Sequence, residues 1–310
     1  MMVSAPLPLL ARACPVCGDT DTTRERFTER IDPVRIGPLS YASRKEPEYM
    51  RLRLVVCPSC DLLYAPRIPS PDSLERAYAE AGYDTSAEAR HAADSYADAL
   101  RGRLDSLPDR ASALEIGAGN GALLERLRAL GFAELVGIEP SHAAAREAPP
   151  ALRHSIRVKS FDPGSLPTAH FTLVVVNQTI EHVPAPLELL SAVHKLLKPG
   201  GLLMLVSHNY RHWLMRLLGA RSPIIDIEHL QVFSPASLAG ALRRAGFAKA
   251  DIRPFANEYP LHYWARLLPI PRVVKRPLHG WLRRSNAVGG RTLRASVGNM
   301  IAWARAGTTM

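Results

Sequence analysis

A glycine-rich turn between an apolar strand and a helix constrains the fold of this chain more than any other feature. Residues 114–121 read Leu-Glu-Ile-Gly-Ala-Gly-Asn-Gly. Glycine lets the backbone approach a ligand closely, and the following helix begins with N–H groups that lack intrahelical partners. The spacing is G-x-G-x-G, and residues 122 and 123 do not supply the third glycine of the dinucleotide fingerprint G-x-G-x-x-G. The turn therefore predicts a ligand site on an α/β sheet.

Predicted strands and helices alternate along the chain after residue 112. Strands are expected at 113–116, 135–138, 156–159, 173–176, 202–206, 250–255 and 299–304. Helices are expected at 122–130, 187–197 and from Ser234 to near Gly246. This alternation predicts a doubly wound α/β sheet. The second strand ends at Glu139, 22 residues after Gly117, where a carboxylate can accept hydrogen bonds from ribose hydroxyls.

Over residues 110–255 the sequence resembles the class I S-adenosylmethionine (SAM)-dependent methyltransferases. The resemblance implies eight cofactor-binding residues: Glu115, Gly117, Gly119, Gly121, Glu139, Phe161, Asp162 and Asn177. By the same resemblance, Asp162 would meet the adenine amino group, and Asn177 would end the strand under the methionine part. It also implies a seven-stranded sheet of order 3-2-1-4-5-7-6 with strand seven antiparallel. The alternative is an ordinary glycine turn in another nucleotide-binding α/β protein.

The four cysteines of the chain form two C-x-x-C pairs, Cys14 with Cys17 and Cys57 with Cys60. Two such pairs can supply a tetrahedral set of thiolates, which favours structural Zn²⁺ and leaves no open coordination position for catalysis. The pattern predicts a four-cysteine module at residues 11–68 that binds zinc. A helical linker or cap is expected at 70–108. The SAM-binding domain is expected at 109–310, with a basic insertion at 259–292.

This arrangement resembles the zinc-binding domain found ahead of some sugar C-methyltransferases and related glycan-pathway enzymes. Residues 226–234, Asp-Ile-Glu-His-Leu-Gln-Val-Phe-Ser, are similar to the E-H-L-x-x-F-S segment of that group. The resemblance implies that Glu228 and His229 line a sugar pocket and that His229 is the base. The acceptor would then be a small polar molecule such as a sugar or glycan precursor, including a lipid-linked one.

An oxygen or carbon nucleophile needs a base whose pKa lies near neutrality, and histidine is the usual choice. We therefore take His229 as the first candidate, with Glu228 as its orienting neighbour. His182 is the second, because it follows the fourth strand at the carboxyl edge of the sheet, where such folds bind ligands. The alternative for each histidine is a packing or capping role.

The C-terminal part of the chain is strongly basic. The formal net charge is +10, and no Asp or Glu follows Glu258. Nine basic residues follow it instead: Arg266, Arg272, Lys275, Arg276, Arg283, Arg284, Arg291, Arg294 and Arg305. Residues 261–284 mix these cations with tryptophan and aliphatic side chains, as membrane-surface segments do. We expect peripheral membrane contact through 261–284, and the alternative is a lid helix packed on the domain.

No apolar run reaches the ~18 residues that a membrane-spanning helix needs. Val3–Leu10 is apolar but short and has no basic residue before it, so we do not interpret it as a signal peptide. The expected location is the cytoplasm, including the inner face of the membrane. A competing hypothesis is an RNA methyltransferase that grips RNA with the four-cysteine module, but that module is poor in the aromatic residues on which bases stack. A second is a non-catalytic SAM-binding adaptor.

Overall fold

A computed structural model describes residues 8–42, 48–83, 86–268, 270 and 272–307. Most of Val3–Leu10 lies outside these residues, as do Pro269 and Pro271 of the insertion. The strands are β1 (Leu9–Ala11), β2 (Glu25–Phe27), β3 (Leu54–Val56), β4 (Leu63–Tyr64), β5 (Arg67–Pro69), β6 (Ser112–Ile116), β7 (Glu134–Ile138), β8 (Ile156–Arg157), β9 (Phe171–Asn177), β10 (Leu197–His208), β11 (Gln231–Val232), β12 (Ala250–Pro260) and β13 (Thr292–Arg305). The helices are α1 (Pro71–Ala79), α2 (Ser86–Arg101), α3 (Ala122–Ala129), α4 (His142–Arg146), α5 (Pro186–Leu196), α6 (Trp213–Leu218), α7 (Pro235–Arg244), α8 (Leu261–Leu267), α9 (Arg272–Arg284) and α10 (Asn286–Gly289).

The central sheet has seven strands in the order β12-β13-β10-β9-β6-β7-β8. β6, β7, β8, β9 and β10 pair in parallel, whereas β13 is antiparallel to both β10 and β12. Counted along the chain from β6, this is the order 3-2-1-4-5-7-6 with an antiparallel seventh strand. The predicted α/β sheet of the class I methyltransferase fold is therefore confirmed.

Apolar side chains cover both faces of this sheet, because successive residues of a strand point to opposite sides. On β9, Val174 and Val176 belong to the core under α5 and α7. Leu173 and Val175 belong to the core on the other face, under α2 and α3. This two-sided burial explains why the strand is a continuous apolar run in the sequence.

Two expected elements are shorter in the structure than the sequence pattern indicated. β8 stops at Arg157, where Lys159 N donates to Arg157 O over 3.0 Å and turns the chain. The predicted helical linker or cap at 70–108 is divided into α1 and α2, and α2 ends at Arg101. α1 ends at Ala79 with Glu80 as its C-cap, whose N–H donates to Arg76 O.

A four-stranded sheet joins the four-cysteine module to the rest of the chain. The strand order there is β11-β4-β3-β2, and Gln231 of β11 pairs with Tyr64 of β4. β11 lies within the segment similar to E-H-L-x-x-F-S, so the module holds that segment by backbone hydrogen bonds. Val16 and Tyr64 of the module also belong to the core that contains Val174 of the central sheet.

The basic insertion sits at the end of a long two-stranded ribbon. β13 pairs with β10 only from Asn299 to Arg305, but it pairs with β12 from Thr292 onward. Because β10 ends at His208 opposite Asn299, the ribbon extends past the carboxyl edge of the central sheet. α8, α9 and α10 connect its two strands.

Candidate active site

A cavity of about 460 Å³ lies at the carboxyl ends of β6, β7 and β9. The glycine-rich loop after β6 lines it, and α1 and α2 contribute further lining residues. Parallel strands bring their following loops together at this edge, which is where open α/β sheets bind ligands.

The three predicted loop glycines all have positive φ angles: +81° at Gly117, +55° at Gly119 and +72° at Gly121. A Cβ atom at residue 117 would lie 2.2 Å from Oγ1 of Thr179, so this position excludes any larger residue. At residue 119 a Cβ would meet no atom within 4 Å, although Gly119 borders the cavity. At Gly119 the backbone therefore adjoins open space in the cavity, where a ligand could approach it closely.

Glu139 lies beside this loop at the end of β7 and borders the cavity. One carboxylate oxygen accepts from Gly119 N over 2.7 Å and the other from Ser141 N over 2.8 Å. Burial raises the pKa of Glu139 above its ordinary value, although these two hydrogen bonds act in the opposite direction. The carboxylate is held next to the loop, where it can accept hydrogen bonds from a ribose. Glu115, buried on β6, borders the same cavity.

Asn177, at the end of β9, gives independent evidence of a polar ligand. Its side chain borders the cavity, and neither its Oδ1 nor its Nδ2 has a hydrogen-bond partner among the described residues. Leaving a buried polar group unpaired costs about 1–3 kcal/mol. A ligand with both a donor and an acceptor, such as an amino acid moiety, would satisfy this amide.

Phe161 and Asp162 separate in the structure. Phe161 borders the cavity, but Asp162 does not. The Asp162 side chain instead accepts from Gly164 N over 3.0 Å and lies 3.6 Å from Nζ of Lys159. The contacts of this carboxylate are thus a local turn and an exposed ion pair, and its role at the adenine stays a prediction.

His182 borders the cavity. Its Nδ1 lies 3.1 Å from the carbonyl oxygen of Glu228 and 3.3 Å from the hydroxyl of Tyr78. The Tyr78 hydroxyl also donates to Glu228 O over 3.1 Å. The carbonyl can only accept, so it favours the tautomer of His182 that carries its proton on Nδ1. In that tautomer Nε2 is the basic nitrogen.

His229 lies behind His182, with 4.8 Å between the ring centroids. Its side chain is buried and does not border the cavity, and the same holds for Glu228. The Nδ1–H of His229 donates to Ile224 O over 3.0 Å, and Nε2 lies 4.0 Å from Oε1 of Glu228. The structure thus brings the three candidate catalytic residues together but places only His182 at the cavity.

A third histidine and a buried acid extend this cluster. The His208 ring lies 5.3 Å from the His229 ring, and its Nδ1 donates to Oδ1 of Asn299 over 2.8 Å. Glu181 is completely buried and accepts from His208 N over 2.6 Å. Its Oε2 has no partner within the part of the chain that the structure describes. Burial raises the pKa of Glu181 to about 7. We did not single out Glu181 from the sequence, although it forms a second Glu-His pair with His182.

Four tyrosines line the cavity and were not predicted as site residues: Tyr41, Tyr78, Tyr83 and Tyr96. Tyr41 comes from the four-cysteine module, Tyr78 from α1 and Tyr96 from α2. Tyr41 and Tyr78 meet edge to face, with centroids 5.5 Å apart. The Tyr78 ring also lies 5.9 Å from the His182 ring, so the cavity presents aromatic rings beside this histidine.

Arg12 ties the four-cysteine module to the active-site loops. Its guanidinium donates to Ala65 O (2.8 Å), Pro184 O (2.9 Å), Leu230 O (2.7 Å) and Gln231 Oε1 (3.0 Å). Burial lowers the pKa of Arg12 to about 10, so the group remains charged at neutral pH. One side chain thus fixes the loop after β9 and the segment after Glu228 in relation to the module.

The four cysteine sulfurs form one cluster. Cys14 Sγ lies 3.5 Å from Cys60 Sγ, and Cys17 Sγ lies 3.4 Å from Cys57 Sγ. All four sulfur atoms lie within 4.8 Å of one another. A tetrahedral zinc site with Zn–S bonds of about 2.3 Å requires sulfurs about 3.8 Å apart, and the observed spacings fit that requirement.

The two cysteine pairs sit in matching turns. Gly18 N donates to Cys14 O over 2.9 Å, and Asp61 N donates to Cys57 O over 3.0 Å. Gly18 and Asp61 both have left-handed backbones, with φ of +78° and +60°. The repeated geometry presents two sulfurs from each turn to a common centre.

Comparison with known proteins agrees with this fold. Residues 89–251 match a protein family described as "Methyltransferase domain". The match covers more than half of the chain and contains the glycine loop, Glu139 and the strand that ends at Asn177. The chain belongs to this methyltransferase family.

Curated relatives include ubiquinone biosynthesis O-methyltransferases. The protein from Ruegeria pomeroyi is 31% identical over 158 residues, which are 46% of this chain and 62% of the relative. The protein from Paraburkholderia phymatum is 29% identical over 153 residues, which are 45% of this chain and 66% of that relative. Among solved structures, a SAM-dependent methyltransferase from Archaeoglobus fulgidus gives a TM-score of 0.47 at 20% identity, with 69% and 94% covered. The chain thus spans less than two thirds of the first relative's length.

Proposed function

We propose that this chain transfers a methyl group from SAM to a hydroxyl group of a small ring-containing acceptor, with His182 as the general base. The observation that carries this proposal is the position of His182. It borders the cavity that the glycine loop also lines, and its Nδ1 is tied to the carbonyl of Glu228.

The residues that border the cavity fit SAM. We assign the bare loop at Gly119 to the ribose and methionine region, Glu139 to the ribose hydroxyls and Asn177 to the amino acid end. Phe161 would pack on the adenine ring. When bound, SAM supplies an electrophilic methyl group on a sulfonium, so the chain must mainly orient a nucleophile and accept its proton.

The base is assigned to His182 because a general base must lie within hydrogen-bond reach of the proton it removes. His229 is one ring further from the cavity, so we assign it and Glu228 to the support of His182. The carbonyl of Glu228 fixes the tautomer, and the ring of His229 packs against that of His182.

The acceptor chemistry is inferred from the tyrosine-lined part of the cavity. Flat aromatic rings make favourable edge and face contacts with tyrosine. The names of the curated relatives, O-methyltransferases of ubiquinone biosynthesis, support a hydroxyl on an aromatic or quinone-type ring. They give no support to the sugar or glycan acceptor. The Glu228–His229 pair that pointed to a sugar pocket does not border the cavity.

We also propose that the four cysteines hold one structural zinc ion. The spacing of the sulfurs and the matched turns support this assignment. Four thiolates fill a tetrahedral site, so the ion would stabilise the module that provides Tyr41 and Arg12 and would take no part in methyl transfer.

The test is single-turnover methyl transfer from labelled SAM to four groups of acceptors: catechols and hydroquinones, nucleotide sugars, lipid-linked glycans and RNA. We expect transfer to the phenolic group. His182→Ala should lower the rate by roughly 10²-fold or more, the usual span for a general base, without a matching loss of SAM affinity. His229→Ala, the matched control, should cost less.

Three results would contradict parts of this proposal. A larger loss in His229→Ala than in His182→Ala would assign the base to His229. Transfer to a sugar or to RNA, with none to phenols, would replace the acceptor class. SAM binding by calorimetry without transfer to any acceptor would favour a non-catalytic adaptor.

A further inference from the structure

We propose that the outer face of α9 docks on an anionic lipid bilayer. This inference does not depend on the identity of the acceptor. No helix in the described ranges is long and apolar enough to cross a membrane, so the contact would be a peripheral one.

The outer face of α9 carries an apolar stripe. Val273, Pro277 and Trp281 are four residues apart, so they lie along one side of the helix. Val273 is 81% exposed and Trp281 is 57% exposed. Leu282, on the opposite side of the helix, is buried against the protein. The exposed apolar side chains therefore point away from the fold, where they lose the hydrophobic stabilisation that burial would give.

Cations flank this stripe. Arg276, Arg283 and Arg284 are exposed on the same helix. No acidic residue follows Glu258 in the sequence, so the segment itself supplies no negative charge to neutralise them. Exposed aliphatic and tryptophan side chains beside arginine are the combination that lies at the boundary between lipid headgroups and acyl chains.

The two tryptophans of the insertion have different roles. The Trp264 ring packs on Tyr259, and its Nε1 donates to Leu293 O over 2.9 Å. This tryptophan fixes α8 to the ribbon of β12 and β13, whereas Trp281 faces outward. None of the residues from 259 to 292 that the structure describes borders the cavity. The insertion is therefore not a lid over the active site in this structure.

The position of α9 suits an enzyme that works at a surface. The ribbon of β12 and β13 extends past the carboxyl edge of the sheet, and residues 292–298 alone account for about 20 Å of strand. The active-site cavity lies at the same edge. A bilayer bound by α9 would lie on the cavity side of the protein, where an acceptor with an apolar tail could be reached.

A bilayer fits this face better than a nucleic acid does. Nucleic acids are bound through phosphates, for which the arginines would be sufficient and the exposed Val273 and Trp281 would contribute little. A bilayer would contact both the arginines and the apolar stripe, because the cations meet anionic headgroups and the stripe enters the interface.

The test is flotation of the full chain with two kinds of vesicle at low salt: phosphatidylcholine alone, and phosphatidylcholine mixed with phosphatidylglycerol. We expect flotation with the mixed vesicles only, and release at high salt. Replacing Arg276, Arg283 and Arg284 together with serine should lower the partition coefficient about 100-fold, at about fivefold per cation. Trp281→Ala should lower it about tenfold.

Trp213→Ala is the matched control, because Trp213 is 67% exposed but belongs to α6. It should float like the unsubstituted protein, and thermal unfolding should show that all variants are folded. An equal loss in Trp213→Ala would overturn the assignment to α9. An absence of flotation would overturn the proposal as well. Binding to an RNA homopolymer that is unchanged in Trp281→Ala would also overturn it. A dimer that light scattering detects without vesicles and that Trp281→Ala dissociates would identify the stripe as a contact between chains instead.

Discussion

Replacing Glu181 with glutamine should remove a pH dependence of the free energy of unfolding that this single carboxyl group creates. Glu181 is completely buried, and burial raises its pKa from 4.5 to about 7. Between these two values the folded protein holds a proton that the unfolded chain releases. The contribution of Glu181 to stability is therefore fully present below pH 4.5, and it is lost as the pH rises to 7. At about 1.4 kcal/mol per pKa unit, the total change is about 3 kcal/mol.

The glutamine variant isolates this effect because its shape is close to that of the protonated acid. The amide oxygen can still accept from His208 N, which lies 2.6 Å from Oε1 of Glu181. The amide nitrogen would replace Oε2, which has no partner among the described residues, so a constant cost of about 1–3 kcal/mol is expected at every pH. The informative quantity is therefore the slope of stability with pH.

Urea unfolding at several pH values from 5 to 8 measures that slope. Between these limits the difference in unfolding free energy between the unsubstituted protein and Glu181→Gln should change by about 2 to 3 kcal/mol, with the unsubstituted protein losing stability as pH rises. Glu147→Gln, at an exposed glutamate, is the control and should leave the slope unchanged. Parallel curves for Glu181→Gln and the unsubstituted protein would refute the reasoning, because they would mean that Glu181 is ionised in the folded state as readily as in the unfolded chain.

Three further predictions concern the cofactor loop and the four-cysteine module. Gly119→Val should weaken SAM binding at least tenfold in calorimetry, because its side chain would enter ligand space and the left-handed φ of +55° at this position disfavours any side chain. Unchanged affinity would place the cofactor elsewhere. Glu139→Ala should lower SAM affinity by roughly 10- to 100-fold, since hydrogen bonds to a charged group contribute about 1.5–3 kcal/mol, and equal affinity would contradict the ribose assignment. Elemental analysis should find about one zinc per chain and less in Cys57→Ser. Native protein without zinc and with four titratable thiols would contradict the metal site.

Much of the central fold could be predicted because local signals and tertiary structure agree there. The run from Phe171 to Asn177 is apolar at nearly every position, and its strand is buried on both faces as such runs predict. The loop glycines were recognisable because their positive φ angles and close contacts restrict the residue type. Their order along the chain, followed by Glu139, predicted a ligand site at the edge of the sheet where these residues line the cavity.

The group of tyrosines that lines the cavity could not be predicted, because its members come from separate elements. Tyr41 and Tyr78 are far apart in sequence, and their contact depends on how the four-cysteine module packs on α1. The hydrogen bonds of Arg12 could not be predicted either, because its partners Pro184 and Leu230 lie more than 170 residues away in the sequence. A local sequence pattern does not indicate contacts between residues that are so far apart in the chain. These groups become visible only when the module and the sheet are seen to share one core.

The ranking of the two histidines shows the same limit at the active site. The sequence contains two Glu-His pairs, Glu181–His182 and Glu228–His229, and their local patterns do not reveal which histidine reaches the ligand. In the structure, β11 joins the sheet of the four-cysteine module, and His229 lies behind His182 as seen from the cavity. The carbonyl of Glu228 contacts Nδ1 of His182, so a segment that the module holds orients the proposed base. We therefore expect loss of the module's structure to lower the rate of methyl transfer more than it lowers SAM affinity, because the glycine loop is built on strands outside the module.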